Sequence, residues 1–463
     1  MLAKFPGQAV YISSARYLRR CRAGALPNRE RCAASPGSNS ERKPNHVDQG
    51  SRLRKRIIIR THPLDEDRVL HISSYVQEAL GALLVVTVML DVFVTVLYAR
   101  VSSGIISRRV AVLTWRFFLF ASRRFGDKQG AVLSFCGPAC LVALVLAWAA
   151  LITVGSALVI QPNLGVSIQA SDGATPRDFI SALYAAGSSL AVVGASDFKP
   201  RSAVFQMYFL FNSLAGVSML SLTLTYLMQI YTALHQRNSL GFELELGTEE
   251  TGDAALLLAG LGPQGQFGPV YSSLANMAAE MSRVKQSHHF YPLLFYFRFP
   301  EPYYSVSRFS LVSLDAATLI QTALDDGEYS WLQRSDAVTQ FGRAALQLVT
   351  SLSETFVRPP LEIEKQAAQQ PQDLWKARYY AGLEQLKQAG IKTVADERAG
   401  AELYVAQRAK WDRYIEMLAP LLGYTMDEID PATSRVKVQG VNSTEVMRDV
   451  AYARPRDVTR SHH

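Results

Sequence analysis

The residues best suited to chemistry lie in one short stretch, residues 191–200, which reads AVVGASDFKP. This stretch is extended rather than helical in character, and rings of extended backbone carbonyls can hold a cation. Asp197 adds a carboxylate. If several copies surround an axis, that carboxylate would concentrate cations at a pore mouth; otherwise it would cap a turn.

The segment before this stretch predicts a short helix. Thr175 and Pro176 occupy the positions of an N-cap and a first helical residue, and Asp178 follows as an acid suited to a first turn. Phe179–Leu190 is then apolar and small, about three turns long. Non-helical backbone at membrane depth must be buried in protein or line a water-filled cavity. A short helix followed by an extended stretch, lying between two spans, therefore predicts a re-entrant pore loop. Four such loops around an axis would enclose a water-filled cavity.

Several residues of this segment keep a fixed spacing. Ala182-Leu183-Tyr184 begins twelve residues before Gly194. Ser189, Val193, Gly194, Asp197 and Pro200 follow in order. The spacing resembles the pore module of the potassium-channel superfamily, the two-transmembrane plus pore-loop ion channels. The resemblance covers residues 131–233 and implies a homotetrameric channel for a monovalent cation, potassium or sodium, without a cofactor.

The sequence departs from the family pattern at the positions that determine ion selectivity. The threonine of the innermost ion layer is replaced by Val192, the bracing tyrosine by Ala195 and the second filter glycine by Ser196. If position 196 needs a positive φ, the backbone loses about 1 kcal/mol per subunit. The expected selectivity filter comprises Val192, Val193, Gly194, Ala195, Ser196 and Asp197. This divergent filter predicts a weak preference for potassium over sodium.

Three residues inside the apolar runs are further candidates. Asp91 is the thirteenth residue of the first run, so it must face protein or water, in a structural hydrogen bond, an ion pair or a functional role. Gly216 is the thirteenth residue of the last run and can serve as a hinge or permit close helix packing. Asn212 lies near the expected cavity and could face the ion path. The small polar residues that follow Gly216 predict helix packing: Ser218, Ser221, Thr223 and Thr225.

The elements that must position these residues are apolar runs. Of the 463 residues 49% are hydrophobic and 19% charged, which indicates a membrane protein and excludes collagen-like, fully disordered and small disulfide-stapled proteins. Ala131–Ile160 and Val204–Leu234 lack Asp, Glu, Lys and Arg over 30 and 31 residues, whereas a span needs only ~20. Ala79–Tyr98 is a third apolar window. The predicted fold is an all-α membrane protein with three transmembrane helices, a re-entrant pore loop between the last two, and an α-helical cytosolic C-terminal domain.

Charge and hydropathy divide the chain into four regions. Residues 1–75 are predicted as a disordered basic leader, since residues 1–60 carry 14 Lys and Arg against three acids. A transit peptide, a dispensable extension and a lipid-attracted segment are alternatives for this leader. Residues 76–130 contain the first span and a basic stretch in which Val110–Ser122 predicts an interfacial helix. Residues 131–234 form the pore module, and residues 235–463 the helical domain.

The last region shows the 3.6-residue spacing of helices. Helices are predicted over Asp315–Leu324, Phe341–Ser353, Asp373–Gly390 and Glu397–Leu418, with breaks at Leu240–Pro269, Pro300–Pro302 and Pro359–Pro371. The region lacks a phosphate-binding glycine loop, a nucleophile elbow and a zinc-protease motif. His288 and His289 would lie on different faces of a helix. We therefore expect neither an enzyme nor a metal site.

The expected topology follows from seven basic residues between positions 100 and 128, which predict a cytoplasmic segment. Because a pore loop dips from outside, the C-terminal domain is then cytoplasmic, in a plasma or inner membrane. The basic leader would lie outside, unless Val110–Ser122 makes a fourth crossing or the leader is absent from the working protein. The expected partners are a homotetramer, the lipid bilayer and an unknown cytosolic partner or ligand, with no nucleic acid. The competing hypothesis is a non-conducting protein that keeps the pore fold as a membrane anchor or assembly core for its helical domain.

Overall fold

The computed structural model describes residues 64–98, 104–126, 129–191, 197–356 and 372–435, with side chains from Ser73 onward. Residues 1–63 of the predicted leader lie outside the described residues. The assignment of residues 64–75 to that leader is wrong, because they begin helix α1, Leu64–Val92. No proline follows Pro63 in this stretch, so nothing interrupts the helix.

Among the residues that the structure describes, three helices are long and apolar enough to cross a membrane: Ser73–Leu97, Gln129–Asn163 and Ala203–Gly247. The three predicted apolar spans are thus confirmed as helices, and the chain is an all-α membrane protein. The helices of the membrane half are α1, a π-helical turn Phe93–Leu97, α2 Ile105–Ser122, α3 Gln129–Ser134, α4 Cys136–Ile160, α5 Phe179–Leu190 and α6 Ala203–Gly247. Helix α2 contains the stretch predicted as an interfacial helix.

Helices α1 and α4 pack through glycines. A Cβ atom on Gly81 would lie 2.5 Å from the carbonyl oxygen of Gly155, and one on Gly155 would lie 3.0 Å from that of Gly81. Small residues permit such close approach of two spans. At the end of this contact the Asn163 amide donates to Oε1 of Glu78 at 2.7 Å, so the first two spans are also joined by a polar contact.

Two short strands enclose α5 in the segment between the last two spans. Strand β1, Ile168–Ala170, pairs antiparallel with strand β2, Phe198–Pro200, with Gln169 opposite Lys199. The extended character predicted for residues 191–200 is therefore confirmed at its described end. The pairing brings the chain before α5 back beside the chain after it.

The predicted helix over residues 179–190 is confirmed, but its predicted N-cap is wrong. Asp178 caps the helix, because its Oδ2 accepts a hydrogen bond of 3.0 Å from the backbone N–H of Ser181. This hydrogen bond and a second one, from the Ser181 hydroxyl, hold the pKa of Asp178 below its ordinary value. Thr175 instead accepts a 3.0 Å hydrogen bond from the backbone of Ala170 and so supports β1.

Helix α6 continues without a break for 45 residues. The predicted domain boundary between residues 234 and 235 falls inside this helix, and the break predicted from residue 240 begins only at Thr248. The physical reason is that one face of α6 stays buried after the apolar run ends, through Leu240 and Leu244. The membrane half and the C-terminal domain therefore share one helix.

The C-terminal domain is helical in the residues described. Its helices are α7 Ala254–Leu261, α8 Val270–Phe290, α9 Val306–Ala323, α10 Asp326–Gln333, α11 Asp336–Phe356, α12 Gln372–Gln388, α13 Glu397–Arg408, α14 Asp412–Leu421 and α15 Met426–Ile429. Three of the four predicted helices are confirmed within α9, α11 and α12. The single helix predicted over 397–418 is wrong, because the chain turns between α13 and α14 to bury Trp411, whose indole donates to Thr318 Oγ1 at 3.3 Å.

Helix α9 is the centre of this domain, since every residue in it except Gln321 is buried. Its Asp315 belongs to a buried charge cluster. The other charged members are Arg378, Arg408, Asp412 and Asp430. Arg378 donates to Asp315 at 2.6 Å and to Asp430 at 3.0 Å, and Arg408 donates to Asp430 at 2.6 Å. Burial acts to raise the pKa of Asp430, but the two guanidinium groups hold it well below its usual range.

Candidate functional site

Helix α5 lies between α4 and α6, and its buried face consists of small residues. Ala182, Ala185 and Ala186 are fully buried against Ala157 and Ile160 of α4. Small side chains let the helices approach closely. The twelve residues of α5 rise about 18 Å, which is too short for a bilayer core of about 30 Å.

A chain of buried polar groups ties α5 to both neighbouring spans. Ser156 of α4 donates to Oδ1 of Asn212 at 3.0 Å, and the Asn212 amide donates to Oγ of Ser189 at 3.1 Å. Ser213 of α6 donates to the carbonyl oxygen of Ser189 at 2.9 Å. Hydrogen bonds of this kind between spans contribute about 0.6 to 2 kcal/mol each. The cluster holds the last turn of α5 against α6.

Asn212 therefore does not face an ion path, as one prediction had it. Its side chain is fully buried and joins Ser156 to Ser189 inside one chain. An amide surrounded by apolar spans is costly without partners, and these two hydroxyls supply them. Ser189, predicted as a pore-helix residue, is the junction of the cluster.

Gly216 lets the end of α5 touch α6. A Cβ atom at this position would lie 1.9 Å from the carbonyl oxygen of Leu190, the last residue of α5. Helix α6 passes through Gly216 without interruption. Of the two predicted roles, hinge and packing, the geometry provides the packing role.

The expected filter is described only in part. Val192, Val193, Gly194, Ala195 and Ser196 lie outside the described residues. Asp197 is exposed, and its backbone oxygen accepts a 2.6 Å hydrogen bond from Ser171. Tyr184 of α5 lies edge-on to Phe198 of β2, with ring centroids 6.4 Å apart. Strand β2 and α5 thus hold the two described ends of the filter segment.

Helix α6 carries a polar stripe, three of whose residues are predicted to pack against other helices. The stripe consists of Ser218, Ser221, Thr225, Gln229 and Thr232, all of them exposed in the single chain. Steps of three and four residues keep these side chains on one face. Ser218, Ser221 and Thr225 therefore do not pack within one chain, and their packing against another subunit stays a prediction. Their spacing of three and four residues, which Gln229 and Thr232 continue, is the feature of the sequence that indicates one polar face.

Asp91 anchors helix α2 at its N-terminus. Its carboxylate accepts hydrogen bonds from the backbone N–H groups of Ile106 and Ser107, at 2.9 and 3.2 Å, and from the Ser107 hydroxyl at 2.6 Å. Trp148 of α4 donates to the same carboxylate at 3.0 Å. A Cβ at Gly104 would lie 2.0 Å from Oδ1, so glycine is required there. The structural hydrogen bond predicted for Asp91 is confirmed, and it satisfies the unpaired donors and the positive end of α2.

The described residues contain no group of three or more His, Cys, Asp or Glu side chains placed to hold a metal ion. Cys136 and Cys140 are buried one turn apart, with their sulfur atoms 3.8 Å from each other. Burial and their mutual contact make them a pair of core thiols in this structure.

Comparison with known proteins gives one distant similarity at the level of a membrane protein. The chain is 22% identical over 218 residues to the uncharacterized membrane protein YdjJ of Bacillus subtilis. The match covers 47% of this chain and 61% of the relative, so the chain spans about three fifths of that protein's length. No family model matches the chain, and no solved structure matches it. The similarity agrees with the three apolar helices in assigning the chain to membrane proteins.

Proposed function

We propose that four copies of this chain form a pore-loop channel that conducts monovalent cations. In this proposal α4 is the outer helix, α5 the pore helix and α6 the inner helix of each subunit. The C-terminal domain is cytoplasmic, and the membrane is the plasma or inner membrane. The basic residues of α2 favour this orientation.

The polar stripe of α6 is the observation that carries the proposal. Polar side chains at membrane depth favour water or protein over lipid. The hydroxyls of Thr225 and Thr232 donate to carbonyl oxygens of α6, and Gln229 accepts from Tyr291, so Ser218 and Ser221 carry most of this argument. The stripe begins at Ser218, two residues after the contact between Gly216 and the end of α5. From Ser218 to Thr232 it runs about 21 Å along the helix. Four such stripes around an axis would line a cavity directly behind the C-terminal ends of four α5 helices.

The direction of α5 supports a cation in this cavity. Its capped N-terminus lies at Asp178, and its C-terminal carbonyls lie against α6 at Ser189 and Leu190. The C-terminal end of a helix carries a partial negative charge. With Val192, Ala195 and Ser196 in the filter, we expect reversal potentials in mixed potassium and sodium solutions to show weak preference between the two ions.

Cysteine accessibility during flux tests the proposed pore lining. The protein, with its native cysteines replaced, is reconstituted in liposomes, and cation flux is measured before and after a water-soluble thiol reagent. We expect the thiol reagent to block most of the cation flux through the Thr225→Cys variant. Leu220→Cys is the matched control, because Leu220 is 69% exposed but points to the opposite side of α6.

Two results would count against the channel. Wild-type liposomes without cation flux at any voltage, pH or lipid composition would favour the anchor or assembly function. Flux that the reagent blocks equally at positions 220 and 225 would place the stripe outside the conducting path.

A further inference from the structure

A cavity of about 580 Å³ lies where the membrane half meets the C-terminal domain. Its walls come from the π-helical turn after α1, from α2, α4 and α6, from the end of α8 with the turn Pro292–Tyr296 that follows, and from the end of α11. The volume falls in the ~300 to 1,000 Å³ range of small-molecule sites. The cavity therefore has the size of a binding site, and it opens beside helices that the membrane surrounds.

Two opposite charges line this cavity without meeting each other. Arg108 of α2 and Glu354 in the last turn of α11 line the cavity, and both residues are exposed to solvent. Within the described ranges neither side chain has a hydrogen-bond or ion-pair partner. Thr95 and Ser107 also line the cavity, but their hydroxyl groups bond to each other at 2.8 Å and Ser107 donates to Asp91. An occupant with one anionic and one cationic group would complement both charges.

The rest of the lining is mainly apolar. It includes Val112 of α2, Leu144 of α4 and Phe290 of α8. Apolar walls with a few converging polar groups are typical of sites for amphiphilic molecules. The charged groups would hold a head group, and the apolar walls would bury hydrocarbon.

We propose that this cavity binds the head group and upper acyl chain of a zwitterionic phospholipid with a primary ammonium, such as phosphatidylethanolamine. Arg108 pairs with the phosphate through its planar guanidinium, and Glu354 accepts hydrogen bonds from the ammonium. A lipid is favoured over a soluble phosphate ester because apolar walls between membrane spans make up much of the cavity. The site does not depend on ion conduction.

The test measures thermal unfolding of the full chain in detergent after removal of lipid. Phosphatidylethanolamine should raise the unfolding midpoint by about 3 °C or more, because a ligand that binds only the folded state stabilises it. Phosphatidylglycerol, which has no ammonium, should raise it less. O-phosphoethanolamine, which has the head group without acyl chains, should have little effect.

Variants assign the effect to the cavity. Arg108→Gln should abolish the shift, and Glu354→Gln should make the two lipids equal. Arg109→Gln, a neighbouring exposed arginine that does not line the cavity, should leave the shift unchanged. Val112→Trp fills the cavity without altering a charge and should also abolish the shift. If Arg108→Gln lowers the unfolding midpoint of the lipid-free protein, the loss of the lipid-induced shift in Val112→Trp decides whether the lipid binds in the cavity.

Three outcomes would overturn the proposal. An equal shift by phosphatidylglycerol in the wild type would remove the role of the ammonium. A shift that survives both Arg108→Gln and Val112→Trp would place the lipid elsewhere. Full stabilisation by O-phosphoethanolamine would identify a soluble ligand. Each readout is independent of flux, so a protein that does not conduct can still pass this test.

Discussion

At the scale of single residues, the contact between Gly216 and Leu190 is the tightest link between α5 and α6. It requires the absence of a side chain, since a methyl group would lie 1.9 Å from a backbone carbonyl oxygen. Neither helix can move away easily, because Asn212 and Ser213, one turn before Gly216 on the same face of α6, donate hydrogen bonds to Ser189. The pair therefore sets the depth at which α5 ends.

We predict that Gly216→Ala destabilises the folded protein by about 1 to 3 kcal/mol, the usual cost of overpacking. Thermal unfolding in detergent measures the change. The matched control is Gly187→Ala in α5, where an added Cβ would make only an ordinary 3.4 Å contact with Thr153. If the two variants unfold at the same temperature, the helices can separate at Gly216 without cost.

His288 is the residue whose protonation should affect stability most directly. It is buried near the end of α8, and neither ring nitrogen has a hydrogen-bond partner among the described residues. Burial, aided by the positive charge of Arg237, lowers the pKa of His288 to about 3. The folded protein therefore holds this ring neutral, whereas the unfolded chain protonates it near pH 6.5.

The sign of the pH effect follows. Below pH 6.5 the unfolded state binds a proton that the folded state rejects, so the free energy of unfolding falls by about 1.4 kcal/mol per pH unit, down to about pH 3. We predict that His288→Leu removes this part of the acid sensitivity, measured as the unfolding midpoint between pH 7.5 and 4.5. His289→Gln, at the exposed neighbour, should keep the wild-type slope. A His288→Leu slope equal to that of the wild type would contradict the prediction.

At the scale of elements, sequence patterns predict the spans and α5 well because these are apolar runs bounded by polar residues. They miss the extension of α6, because Arg237 and Glu245 look like solvent-exposed charges that end a span. In the structure both are buried: Arg237 donates to the carbonyl oxygens of Leu294 and Phe297, and Glu245 accepts from Arg308. Whether such a charged side chain is buried or exposed depends on partners that are distant in sequence. Local sequence patterns do not reveal those partners.

The same limit applies to α9 and to the polar stripe. Helix α9 holds serines, threonines and an aspartate in a fully buried position, which its composition does not suggest. Asp315 is tolerated because Arg378 approaches it from α12. The spacing of the stripe of α6 is visible in the sequence, but its exposure in the single chain is not. The filter residues Val192 to Ser196 stay predictions.

We predict that Arg378→Met destabilises the C-terminal domain by about 3 to 5 kcal/mol, because Arg408 is then the one guanidinium left in the cluster beside three buried carboxylates, those of Asp315, Asp412 and Asp430. The control is Lys376→Met on the same helix. Lys376 forms a surface pair with Glu402, which contributes about 0 to 1 kcal/mol. Protease resistance and thermal unfolding compare the two variants. Equal stability of the variants would show that the cluster relaxes or takes up protons when the arginine is lost.

At the scale of the whole molecule, α6 is the span with the most surface left uncovered. In its most apolar window 11% of the residues are buried within one chain, against 33% and 39% for the other two spans. An inner helix surrounded by other subunits would have this property. In the proposed tetramer this surface would contact the neighbouring subunits.

We predict that a truncation after Asn238 still forms a tetramer in mild detergent, measured as its mass by light scattering beside the full chain. The reason is that the uncovered face of α6 precedes this position. The cut also removes the contact of Arg237 with Leu294 and Phe297, so the truncated chain should be less stable as well as smaller. A monomeric truncation product would assign assembly to the C-terminal domain.

The unbroken course of α6 has a thermodynamic consequence. Its 45 residues extend about 68 Å, with no flexible linker between the membrane and the C-terminal domain. A rotation or shift of α6 at one end is passed along one continuous helix toward the other end. Linkage of this kind is reciprocal. Any molecule that binds the C-terminal domain and favours one position of α6 will have its own affinity altered, by the same factor, whenever an event inside the membrane moves that helix.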